Sequence, residues 1–95
     1  MTTDGKGPVI EDWRIIEVDG TDRHLVGRIY DHPILHDGAR AITSRLLWID
    51  EAAAAARTQS RLYHLGRKGT GPLSDDWARW LDFMLAIAWR AKRTG

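Results

Sequence analysis

Asp31, His32, His36 and Asp37 fall within one short stretch, and imidazole beside carboxylate is a ligand set that suits zinc or another transition metal. His32 and His36 would face one way on a helix. Pro33, however, biases His32 toward extended geometry, so the two rings are not preset to converge. The alternative is a polar loop in which Asp31 caps a turn and His32 packs against its strand. A metal-dependent enzyme at the His32/His36 loop is therefore the least favoured of the functions considered. Thr43, Ser44, Thr58 and Ser60 offer hydroxyls, but a hydroxyl nucleophile needs a positioned base and an oxyanion hole. The chain has no Gly-x-Ser-x-Gly elbow, no phosphate-binding glycine loop and no His-Glu-x-x-His pattern. Cross-strand hydroxyl pairing is the better reading of these four residues.

Two other groups point to binding rather than catalysis. Arg57, Arg61, Arg67 and Lys68 with Tyr63 form the most basic interval of the chain. On an exposed strand face they would bind phosphates, stack a base, or meet an acidic protein surface; a solvated strand face and a polar loop would carry the same residues. The C-terminal tryptophans admit a core or an interface reading. Trp77, Leu81 and Met84 are assigned to the core, whereas Trp80, Phe83 and Trp89, at the margins of the apolar arc, are candidates for a protein interface.

These groups must be positioned by a small set of elements. Trp13, Ile15 and Val18 lie in a run of strand formers that the Asp19-Gly20-Thr21-Asp22 turn ends. In the next run, residues 24–30, His24, Val26, Arg28 and Tyr30 share one face and Leu25, Gly27 and Ile29 the other. Gly27 marks a bulge or a close backbone approach. Pro33 and Asp37-Gly38 bracket a loop over 31–38, and residues 41–49 read as a central strand because their tail is apolar on both sides. Residues 51–65 carry conflicting signals. Five consecutive alanines after Asp50, with Gly66 beyond, favour a helix. Alternation over 57–65, and the echo of Ser44-Arg45-Leu46-Leu47 in Ser60-Arg61-Leu62-Tyr63, favour a pair of strands around a long connection at 50–56. The strand reading is preferred, with the helix as its alternative.

The last element is a helix over about 75–92. Pro72 and Ser74 precede Asp75 and Asp76, and Arg90, Lys92 and Arg93 crowd the far end, so acid and base match the helix macrodipole. Its apolar arc is too wide for one small sheet to cover. The resulting fold class is α+β: a small antiparallel β-sheet of about four strands packed against a C-terminal α-helix, with residues 1–8 a flexible tail and 9–95 a single globular domain.

The succession Gly27-Arg28-Ile29-Tyr30-Asp31-His32-Pro33, Asp37-Gly38, Thr43-Ser44 and Thr58-x-Ser60-x-x-Tyr63-x-Leu65-Gly66 resembles short bacterial proteins grouped as a domain of unknown function. The resemblance covers roughly the middle half of the chain. It implies a compact accessory protein of chromosomes or prophages and brings no activity, cofactor or catalytic residue.

At 95 residues with 43% hydrophobic content and 14 basic against 13 acidic residues, the chain fits one folded domain. It has no cysteine, which excludes a disulfide framework, a thiolate zinc site and a cysteine nucleophile, and favours a cytoplasmic setting. The N-terminus does not resemble a signal peptide, and no apolar run approaches the roughly 20 residues of a membrane span. A net charge of +1 gives little long-range pull on nucleic acid. The functional expectation is a small non-enzymatic protein without a cofactor, acting through protein contacts as a homodimer, adaptor or inhibitor. The alternative is a nucleic-acid-binding accessory protein using the basic interval.

Overall fold

The computed structural model describes residues 7–18, 20 and 22–94, with side chains through 87. Among the described residues five strands follow one another, β1 (Val9–Val18), β2 (Asp22–Tyr30), β3 (Ala39–Asp50), β4 (Ala55–Thr58) and β5 (Leu62–Leu65), and are followed by one helix, α1 (Asp75–Thr94). Each strand pairs antiparallel with the next, and the sheet closes into a barrel. An up-and-down meander with an odd number of strands can close only if its first and last strands run the same way. β1 and β5 are accordingly parallel, with Val9 opposite His64 and Ile10 opposite Leu65. Closure removes the free edges that an open sheet would leave unpaired. The fold class is the α+β arrangement expected, with five strands rather than about four.

The extra strand comes from residues 51–65, where the single strand expected over 57–65 is instead two: β4 takes Ala55 and Ala56 from the expected connection and ends at Thr58, and a turn over 59–61 leads into β5, so strand pairing prevails over alanine propensity. Ala52, Ala53 and Ala54 form the tip of the β3–β4 connection. There the Asp50 carboxylate accepts from the Ala53 amide at 3.2 Å, and Ala54 takes a positive φ of 55°. Ala56 lies in β4 at 0% exposure, where a larger side chain would have no room. The core is the barrel interior: Ile10, Trp13, Leu25, Ile29, Ala41, Leu46, Ala56, Tyr63 and Leu65.

Bulges decide which residues face inward. In β1 the register shifts between Glu11 and Arg14, with Asp12 at φ 52°, and the shift turns Trp13 into the core. Gly27 stands opposite. A β-carbon there would lie 2.6 Å from the Glu11 carbonyl oxygen and 2.8 Å from Ile10 Cγ1, so both the bulge and the close approach are present. A second shift, between Leu46 and Trp48 against β4, breaks the alternation of β3: Leu46 is buried and Ile49 packs on the core, while Leu47 and Trp48 both face solvent.

The segment after β5 straps the barrel along β1. Trp13 Nε1 donates to the Gly66 carbonyl at 3.1 Å, the Glu11 carboxylate accepts from the Arg67 amide at 2.8 Å, and the Arg14 guanidinium donates to the Thr70 and Gly71 carbonyls. At the start of β1, Pro8 is buried and its carbonyl accepts from the His64 amide at 2.9 Å. The barrel thus reaches into the stretch expected to be a tail; residues 1–6 lie outside the described residues.

Candidate contact surface on the C-terminal helix

Helix α1 starts where the sequence places it. The Ser74 hydroxyl accepts from the Trp77 amide at 3.3 Å, and Asp75 and Asp76 occupy the first turn, an N-cap followed by acids at the positive end of the macrodipole. Trp77 anchors this turn to the barrel. Arg28 of β2 and Arg40 of β3 are cross-strand neighbours, a like-charge pair that costs stability when left alone. Their guanidinium carbons lie 5.7 Å and 5.2 Å from the Trp77 ring centroid, so one ring receives both cations. Trp77 also meets Trp80 edge to face, with centroids 5.5 Å apart and planes at 83°.

Beyond this anchor the helix uses one side and leaves another bare. Leu81 is buried, and Trp80 and Leu85 are half-buried. Phe83 is 64% exposed and Ile87 48%, and Met84 is also exposed. Spacings of four and three residues put Trp80, Phe83 and Ile87 on one stripe, so these exposed side chains form a continuous apolar seam. Of the three interface candidates, Phe83 faces solvent and Trp80 partly so; the Trp89 side chain lies outside the described residues. Met84, assigned to the core from the sequence, sits instead on the outer seam. Among the described residues, no helix is long and apolar enough to cross a membrane.

The basic interval does not form one face. Tyr63, expected to offer its ring for stacking, points into the barrel at 5% exposure, and burial pushes its phenol pKa up, with the Arg61 charge acting weakly the other way. Arg57 points outward from β4 with Trp48 as its cross-strand neighbour. Arg61 lies in the β4–β5 turn, Arg67 in the strap beside β1, and Lys68 stands 5.3 Å from the Trp13 ring centroid and 3.6 Å from the Glu51 carboxylate. The sequence reading missed Trp48 as a surface residue, because the bulge that exposes it depends on pairing with β4. An open depression of about 520 Å³ lined by Val9, Glu11, Asp12, Tyr30 and Arg67 flanks the strap. Its lining mixes both charge signs.

The loop and hydroxyl residues are occupied structurally. His32 Nδ1 accepts from the amides of Ile34 at 3.0 Å and Leu35 at 3.1 Å, which requires that nitrogen to be unprotonated. Burial, and then the Arg61 charge, hold the His32 pKa below its usual 6.5. His36 is exposed, and its carbonyl closes the loop by accepting from the Ala39 amide. Among the described residues no three His, Asp or Glu side chains gather around one point. Ser44 Oγ donates to Thr58 Oγ1 at 2.9 Å, and Thr58 Oγ1 in turn donates to the Arg61 carbonyl at 3.2 Å. The Ser60 amide donates to Ser44 Oγ at 3.0 Å. The Thr43 hydroxyl accepts from the Leu25 amide at 3.0 Å, bridging the irregular register between β2 and β3.

Barrel, strap and anchored helix define a small closed five-stranded β-barrel with a C-terminal helix whose outer stripe is apolar and exposed. The chain belongs to a family of unknown function, DUF6634, whose model matches residues 2–83. No curated protein and no solved structure matches it.

Proposed function

We propose that the protein is a non-enzymatic contact module whose barrel is the platform and whose helix α1 takes the apolar face of another polypeptide. The observation that supports this reading is the solvent-facing stripe of Phe83, Met84 and Ile87 on a helix held to the barrel through Trp77. Exposed, contiguous large apolar side chains mark contact sites more often than chance exposure does. Further support is that the hydroxyls of Ser44 and Thr58 and the His32 ring nitrogen already serve turns and strand pairing. The test is a photo-crosslinking residue at Phe83 of the full chain, in the cells that make it, compared with the same residue at exposed Gln59. Adducts at Phe83 that Ile87→Glu abolishes, and their absence at Gln59, are the expected result. No adduct at Phe83 refutes the reading.

A second reading, binding of single-stranded nucleic acid, draws support from Trp48, 47% exposed, beside Arg57 on the neighbouring strand, since an aromatic ring flanked by a cation stacks bases. Titration with oligonucleotides would quench Trp48 fluorescence, in a manner that weakens steeply with salt and is lost in Trp48→Ala. A titration without quenching removes this reading.

A further inference from the structure

We infer that the occupant of the α1 stripe is a second copy of this chain, docked helix against helix in antiparallel orientation about a two-fold axis near Phe83; this rests on the contact-module reading. The stripe that carries Trp80, Phe83 and Ile87 continues by the same alternation of four- and three-residue steps to Asp76 at one end and to the register position of Arg90 at the other. This is the seam spacing of packed helices. Asp76 and Arg90 are equidistant from Phe83 in sequence, each about 10.5 Å from it along the axis at 1.5 Å per residue. Turning a second copy end for end about Phe83 therefore sets each Asp76 opposite the other copy's Arg90, with apolar residues between the two pairs.

The alternative geometry is disfavoured by the same residues. A parallel pair would place aspartate against aspartate at one end and arginine against arginine at the other. It would also align the two macrodipoles, whereas the antiparallel pair opposes them. An isologous interface requires a seam that complements itself, because each surface must match its own rotated image. Asp76 pairs with Arg79 of its own helix, 3.3 Å away and largely exposed, a contact that is readily exchanged. The seam offers four partly exposed side chains per copy, Trp80, Phe83, Met84 and Ile87, so the interface falls at the small end of specific contacts and the dimer exchanges with monomer.

Solution mass by light scattering and sedimentation, over a range of concentration at low salt, tests this on the full chain. Asp76→Arg and Arg90→Asp each turn two attractions into two repulsions and are expected to weaken dimerisation about tenfold or more. The double variant and an equimolar mixture of the two single variants are both expected to recover it. The mixture contains only the two weakened chains, so its recovery reads pairing rather than folding. The single variants separate the geometries, because in a parallel pair each would only exchange one like-charge contact for another and leave dimerisation as it is in the wild type. A wild type that stays monomeric, single variants that dimerise unchanged, or a double variant as weak as the singles each overturn the inference. A monomeric wild type that still gives Phe83 adducts with another protein overturns the self-association alone, whereas no Phe83 adduct overturns the contact-module reading as well.

Discussion

Replacing Gly27 by alanine tests whether the β1 bulge is the fixed point of the barrel. The added carbon would lie 2.6 Å from the Glu11 carbonyl oxygen, 2.8 Å from Ile10 Cγ1 and 3.2 Å from Trp13 Cα. Two of these atoms are backbone, and Ile10 is fully buried, so none can swing away. Overpacking of this kind costs about 3 kcal/mol, at the upper end of its range. The loss of unfolded-state freedom on replacing glycine returns about 0.5–1 kcal/mol. The net expectation is a loss of about 2 kcal/mol, read in urea as a midpoint lowered by about 1–2 M at the slopes typical of small domains. Gly66→Ala is the matched comparison. The atoms nearest its β-carbon would be those of the Glu11 carboxylate, the end of a flexible side chain, so it should cost less, mainly through the Arg67 amide that this carboxylate accepts from. A Gly27→Ala midpoint within about 0.3 M of wild type, or a Gly66→Ala variant less stable than Gly27→Ala, would refute the argument from backbone contact.

Thr58→Ala removes the hydroxyl that accepts from Ser44 and donates to the Arg61 carbonyl in a fully buried position. It should lower stability by about 1–3 kcal/mol in the same urea assay, with Thr58→Ser retaining most of the loss-free behaviour. Trp77→Ala leaves Arg28 opposite Arg40 with no ring to receive them. Helical circular dichroism and amide protection of residues 75–87 should fall while the protection of β1 and β2 persists, and an unchanged helix would contradict the anchoring role. Because the folded His32 pKa is below its ordinary 6.5, the unfolded chain binds the proton first as pH falls. The His32 contribution is complete above about 6.5 and is lost as pH drops toward the folded pKa. The stability difference between wild type and His32→Gln should therefore shrink with acidification through that window, and a pH-independent difference would oppose the cap role assigned to Nδ1.

What the sequence determined on its own is the part governed by local physics. Ser74 followed by Asp75 and Asp76, with basic residues at the far end, specifies α1 because capping and dipole effects act within a turn. Asp37-Gly38 specifies the loop end, where Gly38 has a φ of 86°. The faces of β2 follow from simple alternation, and strand rather than helix was legible for 57–65, though not the turn over 59–61 that divides it. Tertiary structure alone decided what depends on a distant partner. The parallel β1–β5 closure, and the Trp13 indole reaching Gly66, join residues more than fifty positions apart. The bulges in β1 and β3 are set by pairing with a neighbour, and one inserted residue reverses every side chain that follows it. For that reason Trp48 lies outside the barrel; Tyr63 lies inside it because the β4–β5 turn sets it opposite buried Ala56, and the basic residues read together in the chain are dispersed over different faces. On α1 the sequence already placed Trp77 and Leu81 inward and Phe83 at the exposed margin, but only the fold showed that Met84 and Ile87 remain free.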